Sequence, residues 1–276
     1  MNATAETRTL EAESPLRGAG YLRKVGYVAL NTYRETVRDK VLYNLVLFAL
    51  LMIGSSYVLG AISVYQEIKI IKDLGLASIS IFGMVIAIFI GIGLVSKEMD
   101  RRTLYTVLTK PLTRAQFLLG KYLGLCVTLL VNVLVMTAGL YLLLLLMKHP
   151  FDPELLKAIY LIYLKLVVLV GVAILFSTFT SSVLAGILTG FVYVTGYFSS
   201  DLKNLESIVE PGLLPQLTRA IYYLLPNFKN FDVKAAVVAG DPVTWSQLSW
   251  VTLYAVVYTA VLLTASCWIF RQRNLK

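Results

Sequence analysis

Residues 96–124 read SKEMDRRTLYTVLTKPLTRAQFLLGKYLG, a polar and basic island between two long apolar runs. Lys97, Arg101, Arg102, Lys110, Arg114 and Lys121 stand here against only Glu98 and Asp100. The island carries its own helix punctuation. Asp100 is placed to cap a short helix over 101–109, with Lys110 in its last turn and Pro111 ending it. Thr113 opens a second helix. Thr113-x-x-Gln116 has the spacing of a capping box, and Leu112 and Phe117 sit at the staple positions. The spacing predicts a short amphipathic helix, a sharp stop, and a long helix that enters a membrane. A short helix held on the face of a membrane-embedded body is a part that another protein can push.

Outward from the island the chain is apolar. Of its 276 residues, 58% are hydrophobic and 15% charged, where a soluble domain carries about 25% charge. The mean hydropathy is +0.74. The expected class is an all-α membrane protein. A helix needs about 20 apolar residues to cross the hydrocarbon, and six spans are expected, at about 41–65, 77–95, 117–147, 155–179, 183–199 and 246–270, together one transmembrane domain over 41–276. Residues 66–76 read as a short polar turn, and Lys148 to Pro153 as a tight one. The apolar run over 155–199 is too long for one helix. Its break is expected at Phe179 to Val183, where Thr178, Thr180, Ser181 and Ser182 gather.

Residues 1–20 hold Glu6, Glu11, Glu13 and Pro15 and no apolar core, so they read as a disordered cytoplasmic tail and not as a secretory signal. In 21–40, Leu22, Val25, Ala29, Tyr33 and Val37 recur at helical spacing, with Arg23, Arg34, Arg38 and Lys40 mostly off that stripe. This predicts an amphipathic helix lying in the membrane interface; an ordinary soluble helix is the alternative. Lys and Arg set the orientation. Residues 1–40 supply 7, the island 6 and the C-terminus 3, against 2 in the first turn, 2 from Lys148 and Lys157, and 4 in 200–245. The asymmetry places both termini and the island in the cytoplasm of a multi-pass protein of the cell (inner) membrane. The net charge of +9 suits an anionic leaflet or an acidic protein groove, and nucleic acid is not an expected partner of so apolar a chain.

Residues 200–245 are polar and rich in proline, with Pro211, Pro215, Pro226 and Pro242. Arg219 to Leu225 is apolar enough for a short helix ended by Leu224-Leu225-Pro226-Asn227, and Phe228 and Phe231 continue its character. This external segment either re-enters the outer leaflet and covers the exit of a pathway, or lies flat on the surface.

No catalytic set is visible. There is no G-x-x-x-x-G-K-[ST], so no nucleotide is expected to be hydrolysed by this chain; Gly120-Lys121 is followed by Tyr122 and lacks the upstream glycine. There is no H-E-x-x-H, the single His149 reads as a solvated turn residue, and no metal site is expected. Cys126 and Cys267 fall inside apolar spans and read as packing residues, not as a disulfide. No pair of carboxylates lies inside the spans, which argues against a proton relay. Lys165 is the one charge well inside a span; it lies about three turns from the outer end and is expected to snorkel outward, a substrate-binding role being the alternative. Gly83, Ala87 and Gly91, and again Ser182, Gly186 and Gly190, are rows of small residues at four-residue spacing. Such rows let helices approach closely in lipid, either at a homodimer seam or within one protomer.

Glu98, Arg102-Thr103-Leu104, Leu108, Lys110-Pro111, Arg114 and Gly120-Lys121 resemble the segment between the second and third spans of ABC-2 type permeases, where the pattern is E-x-x-x-G-T-L, then L-x-x-P-x-x-R, then G-K. The match covers about 30 residues, and the six-span plan extends it loosely over most of the chain. Asn31 to Glu35 and Arg38 to Lys40 resemble the opening helix of a branch similar to the permease of nitrous-oxide-reductase maturation. Arg102 stands where that family has glycine, which adds positive charge to the helix.

The resemblance implies the permease half of an ATP-driven exporter. A second copy of the chain, or a related permease, pairs with it. Two separate ABC ATPase subunits bind the ATP and Mg, and the permease itself binds no cofactor. The short helix after Asp100 is then the coupling helix. Thr103, Leu104, Val107 and Leu108 with Pro111 form its body and apolar contact, and Arg101, Arg102 and Arg114 its charged contact. Glu98 holds its base, with Arg34 or Arg38 as partner. Leu224, Pro226, Phe228 and Phe231 fall in the outer gate. Tyr, Thr and Ser residues within the spans suit lipid-like, apolar or cofactor-type cargo equally. A second class of function has the same architecture: an anchor that transmits force to a periplasmic protein and moves no solute. An intramembrane enzyme is disfavoured for want of catalytic groups.

Overall fold

The computed structural model describes residues 20–62, 66–100, 113–198 and 225–272, with residues 94–100 by backbone alone. Every regular element among them is helical. In chain order α1 is Tyr21–Val37, α2 Lys40–Ala61, α3 Glu67–Asp100, α4 Arg114–Leu146, α5 Pro153–Ser177 and α6 Ser182–Tyr197. A 3-10 turn, Phe228–Phe231, precedes α7, Lys234–Ala239, and α8 is Trp245–Gln272. The helices α2, α3, α4, α5 and α8 are long and apolar enough to cross a bilayer. The expected fifth span, 183–199, is less than that: α6 is apolar but has 16 residues, about 24 Å at 1.5 Å per residue, against about 30 Å of hydrocarbon. Five candidate spans, not six, lie among the described residues.

The helix starts follow local chemistry. Asp39 precedes α2 and accepts from the Val41 N–H at 3.0 Å. Thr113 and Gln116 form the expected capping box of α4: the Gln116 N–H donates to Thr113 Oγ1 at 3.3 Å and the Thr113 N–H to Gln116 Oε1 at 2.9 Å. Its expected staple residue Leu112 lies outside the described residues. At the far end of α4, the Lys148 N–H donates to the Leu145 carbonyl and the His149 N–H to that of Leu144, with Lys148 at φ 53. That is a Schellman stop with lysine where glycine is usual. The turn at 178–181 divides α5 from α6, as the cluster of hydroxyl residues predicts.

Packing is centred on α5. Its most apolar window is 67% buried, against 22% for α2 and 28% for α8 at the rim. The helices α3, α4, α6 and α8 surround it. The rim helices expose apolar side chains such as Leu51, Val58, Val257 and Val261, which suits lipid. In lipid the hydrophobic effect does not drive helices together, so close approach must. Gly83 and Gly91 of α3 supply it. A Cβ at Gly83 would stand 2.5 Å from Leu166 Cδ1, and one at Gly91 2.6 Å from Ala173 Cβ, both on α5.

Two expectations need correction. Residues 66–76 are not a turn, because α3 begins at Glu67. Ile71, Gly75, Leu76 and Ile79 continue the buried stripe of the helix through the polar stretch. The stripe expected on α1 is rotated. Val25, Thr32 and Thr36 are its buried residues, while Leu22 is 82% exposed. The cause is the neighbour: α1 lies on α4, whose Gly120 and Gly124 bring the backbones too close for large side chains. The Thr36 hydroxyl donates to the Thr32 carbonyl at 2.8 Å, which lets a threonine be buried there.

The end of the bundle remote from Arg114 is tied by a polar network. Lys72 of α3 pairs with Asp152 at 2.7 Å. Asp152 caps α5 by accepting from the Glu154 N–H at 3.1 Å, and its carbonyl accepts from the Tyr141 hydroxyl at 2.7 Å. Lys157 donates to Glu154 at 2.6 Å and to the Val243 carbonyl at 2.9 Å, and the Val243 N–H donates to Glu154 at 2.8 Å. The segment before α8 is thereby fixed to α5. Burial alone would raise the Asp152 pKa, but the Lys72 hydrogen bond and charge with the Glu154 N–H hold it below the usual carboxylate value. A depressed folded pKa contributes stability above the unfolded value, about 3.9, that is lost as pH falls through the folded one. The melting temperature is therefore expected to fall on acidification from about pH 5 to pH 3. Asp152→Asn should melt lower than wild type at pH 7 and show a flatter acid limb, as differential scanning fluorimetry of the purified protein would read.

Candidate functional site

The site singled out by sequence lies between α3 and α4. Arg101, Arg102, Thr103, Leu104, Val107, Leu108 and Pro111 fall at 101–112, outside the described residues. The backbone of Glu98 is in the last turns of α3, which runs on through Asp100, and its side chain is not described. What the structure gives is the frame on which that segment is hung.

Arg114, at the first turn of α4, reaches across to the end of α8. Its guanidinium donates to the carbonyls of Phe270 at 2.9 Å and Arg271 at 3.2 Å, and lies 5.8 Å from the Phe270 ring centre. The last carbonyls of a helix have no partner within it, and a cation there also complements the helix dipole. Arg114 thus closes α8 within the protomer. Phe117, one turn on, stacks against Phe270 at 6.5 Å. Lys121, 2% exposed, lies with its ammonium 4.9 Å from the Phe117 ring centre.

The same end of α4 carries a feature the sequence reading passed over. Gly120 and Gly124 form a small-xxx-small pair, and α1 is seated on it. A Cβ at Gly120 would stand 2.5 Å from Val28 Cβ and 2.9 Å from the Val25 carbonyl. One at Gly124 would stand 2.6 Å from the Ala29 carbonyl and 2.7 Å from Thr32 Cβ. The signal for it in the sequence is the four-residue spacing of Gly120 and Gly124. Beside this seat, a cavity of ≈ 400 Å³ opens at the α1–α2 corner, lined by Glu35, Arg38, Asp39, Leu42, Phe89 and Gly93 among others.

The small-residue rows part company. Gly83, Ala87 (0% exposed) and Gly91 face inward, the two glycines against α5 of the same protomer. On α6 the buried positions are Ala185, Thr189, Val192 and Gly196. Ser182 is half-buried, Gly186 approaches Ile92 of α3, and Gly190 faces open space.

Of the residues expected at an outer gate, Leu224 is outside the described residues. Pro226 is buried, and Phe228 and Phe231 are 0% and 1% exposed. A Cβ at Gly196 of α6 would stand 2.8 Å from Phe228 Cδ2, so glycine there seats the turn on the helix. Phe228 packs on Tyr193 of α6 at 5.4 Å, Phe231 on Tyr254 of α8 at 6.0 Å, and the Asn227 N–H donates to the Tyr254 hydroxyl at 2.9 Å. Phe228 and Phe231 of the turn are thus buried between α6 and α8, while Lys229 and Asn230 between them are exposed.

Lys165 does not snorkel outward. It is 1% exposed, and its ammonium donates to Ser80 of α3 at 2.7 Å. Cys126 and Cys267 are both free. Among the described residues no group of His, Cys, Asp and Glu is placed to hold a metal ion.

A family model described as ABC-2 family transporter protein matches residues 27–275. No curated protein matches the chain.

Proposed function

The chain belongs to the ABC-2 transporter family, and on that premise we propose that it is the six-span membrane half of an ATP-driven exporter, worked by a separate ATPase through a helix at 101–109. The chain is a multi-pass membrane transport component. The finer reading rests on one observation. Helices α3 and α4 have 34 and 33 residues, about 50 Å each, and so outrun about 30 Å of hydrocarbon. The segment 101–112 joins their ends. It hangs from two rigid rods, one of them clamped to α8 by Arg114 and to α1 through Gly120 and Gly124. Force applied there has a stiff path into the bundle.

In this reading α6 serves as the fifth span in chain order and so brings the count to six, the termini and 101–112 face the cytoplasm, and α1 lies in the interface. Residues 1–20 form a cytoplasmic tail, and Leu224 to Phe231 take part in the outer gate. Two copies pair, and two ATPases supply ATP and Mg. A second reading, an anchor that works a periplasmic protein, draws support from a cleft of ≈ 550 Å³ at the Asp152 end, lined by Glu67, Lys69, His149 and Gly240 among others.

Orientation tests the proposal. With Cys126 and Cys267 replaced by serine, Arg102→Cys should react with a membrane-impermeant maleimide in inside-out vesicles and not in spheroplasts, and Lys148→Cys the reverse. Labelling of Arg102→Cys from the periplasmic side would overturn it.

A further inference from the structure

Lys165 is the middle residue of α5, twelve residues from either end. Among the described residues its ammonium has two hydrogen-bond partners, both neutral: Ser80 Oγ at 2.7 Å and the Tyr193 hydroxyl at 3.5 Å, with the Tyr193 ring centre 5.6 Å away. Among the described residues no carboxylate pairs with it. Asp232 and Lys234, whose charges reach it, pair with each other at 3.8 Å and so bring no net charge. An ammonium buried without a counter-charge is costly, and an apolar residue of the same volume would relieve that cost. Ionisable residues kept at such depth mark function.

The surroundings indicate what the charge is for. Tyr193, which lies against the ammonium, begins an unbroken aromatic wall through Phe228, Phe231, Tyr254 and Tyr258, with neighbouring ring centres 5.4, 6.5, 6.0 and 5.7 Å apart. One uncompensated cation at the head of a long apolar wall matches a molecule with one acid group and an apolar body. We propose that Lys165 binds the acid group of an anionic amphiphile, a phosphate or carboxylate on an apolar tail, and that the aromatic wall takes the tail. This rests on the permease reading and names its cargo class. Tyr193 covers the ammonium, so α6 must draw away from α5 for the acid group to arrive. Ser80 then holds Lys165 in place while the site is empty.

The test is a thermal shift of the purified full-length permease in dodecyl maltoside with four probes: hexadecyl phosphate, palmitate, hexadecanol and hexadecyltrimethylammonium. One or both acids should raise the melting temperature by several degrees, which also tells phosphate from carboxylate; the alcohol and the cation should not. Lys165→Met should melt at or above the wild-type temperature and lose most of the acid-dependent shift, while Lys165→Arg keeps it. A shift that survives in Lys165→Met, or that hexadecanol matches, or no shift with either acid, overturns the proposal. Should Lys165→Met fail to fold, Ser80→Ala decides: it leaves the ammonium with a free donor and must keep or enlarge the acid shift, and its loss overturns the proposal. Binding is read without the ATPase, so a negative result leaves the coupling reading standing.

Discussion

Leu104→Asp is expected to abolish ATP hydrolysis coupled to this permease while the protein still inserts and folds. In the short helix expected over 101–109, Leu104, Val107 and Leu108 fall at i, i+3 and i+4 and share one face. If that face seats in an apolar cleft of the ATPase, Leu104→Asp puts a carboxylate where no charge partner waits. An uncompensated buried charge costs about 3–5 kcal/mol, and every 1.4 kcal/mol is about tenfold in affinity, so binding should fall a hundredfold or more. Leu104→Met, which keeps volume and apolarity, should retain most of the activity. ATPase turnover of the reconstituted complex, beside the melting temperature of the permease alone, separates loss of coupling from loss of fold. Wild-type turnover in Leu104→Asp would remove the coupling helix from this segment.

Such a push has two routes onward. Through α4 it meets Arg114 on the last carbonyls of α8 and the glycine seat of α1. Through α3 it meets α5 at Gly83 and Gly91, in the helix that holds Lys165. Both routes would reach the buried aromatic turn: Tyr193 of α6, which holds Phe228, accepts from Lys165 of α5 at 3.5 Å, and Phe231 is held by Tyr254 of α8. At the opposite end, Lys72, Asp152, Glu154 and Lys157 lock α3, α5 and the segment before α8 to one another. In the proposed reading the bundle is tied at one end and pushed at the other, and the buried aromatic turn lies between helices that the two routes would displace differently.

The helices were legible because their punctuation is local. Thr113-x-x-Gln116 and the hydroxyl cluster at 178–182 are signals within one turn, and both stand as boundaries in the structure. Which face a helix buries is not local. Leu22 and Tyr33 fit the expected stripe of α1, yet Thr32 and Thr36 are buried, because the choice was made by glycines nearly a hundred residues away. The pairing of Lys72 with Asp152 is likewise hidden, as opposite charges on a helix and in a turn eighty residues away carry no mark of their nearness. The inward direction of Lys165 is hidden for the same reason: only the fold brings Ser80 within reach.

The α1 seat yields the second large effect. Gly124→Leu should lower the melting temperature and release α1, whereas Gly190→Leu should not. At Gly124 the first side-chain carbon meets a backbone oxygen, that of Ala29, at 2.6 Å, and Thr32 Cβ at 2.7 Å. A backbone cannot rotate aside as a flexible side chain can, so α1 must lift as a unit. Overpacking of this kind costs about 1–3 kcal/mol, and for a chain of this size each kcal/mol is about 2–4 °C. A fall of about 2–12 °C is expected. Arg34 and Arg38 are already exposed, but lifting α1 removes the packing that keeps its backbone helical, so trypsin should cut there faster than in wild type. Gly190 has nothing within 4 Å, so in the isolated protomer Leu there adds helix propensity and no clash. If Gly190→Leu instead splits a dimer without lowering the melting temperature of the protomer, the open face of α6 is the seam between copies. Should Gly124→Leu melt with wild type and resist trypsin equally, α1 is not held by this seat, and the clamp on α4 through which force is thought to pass is gone.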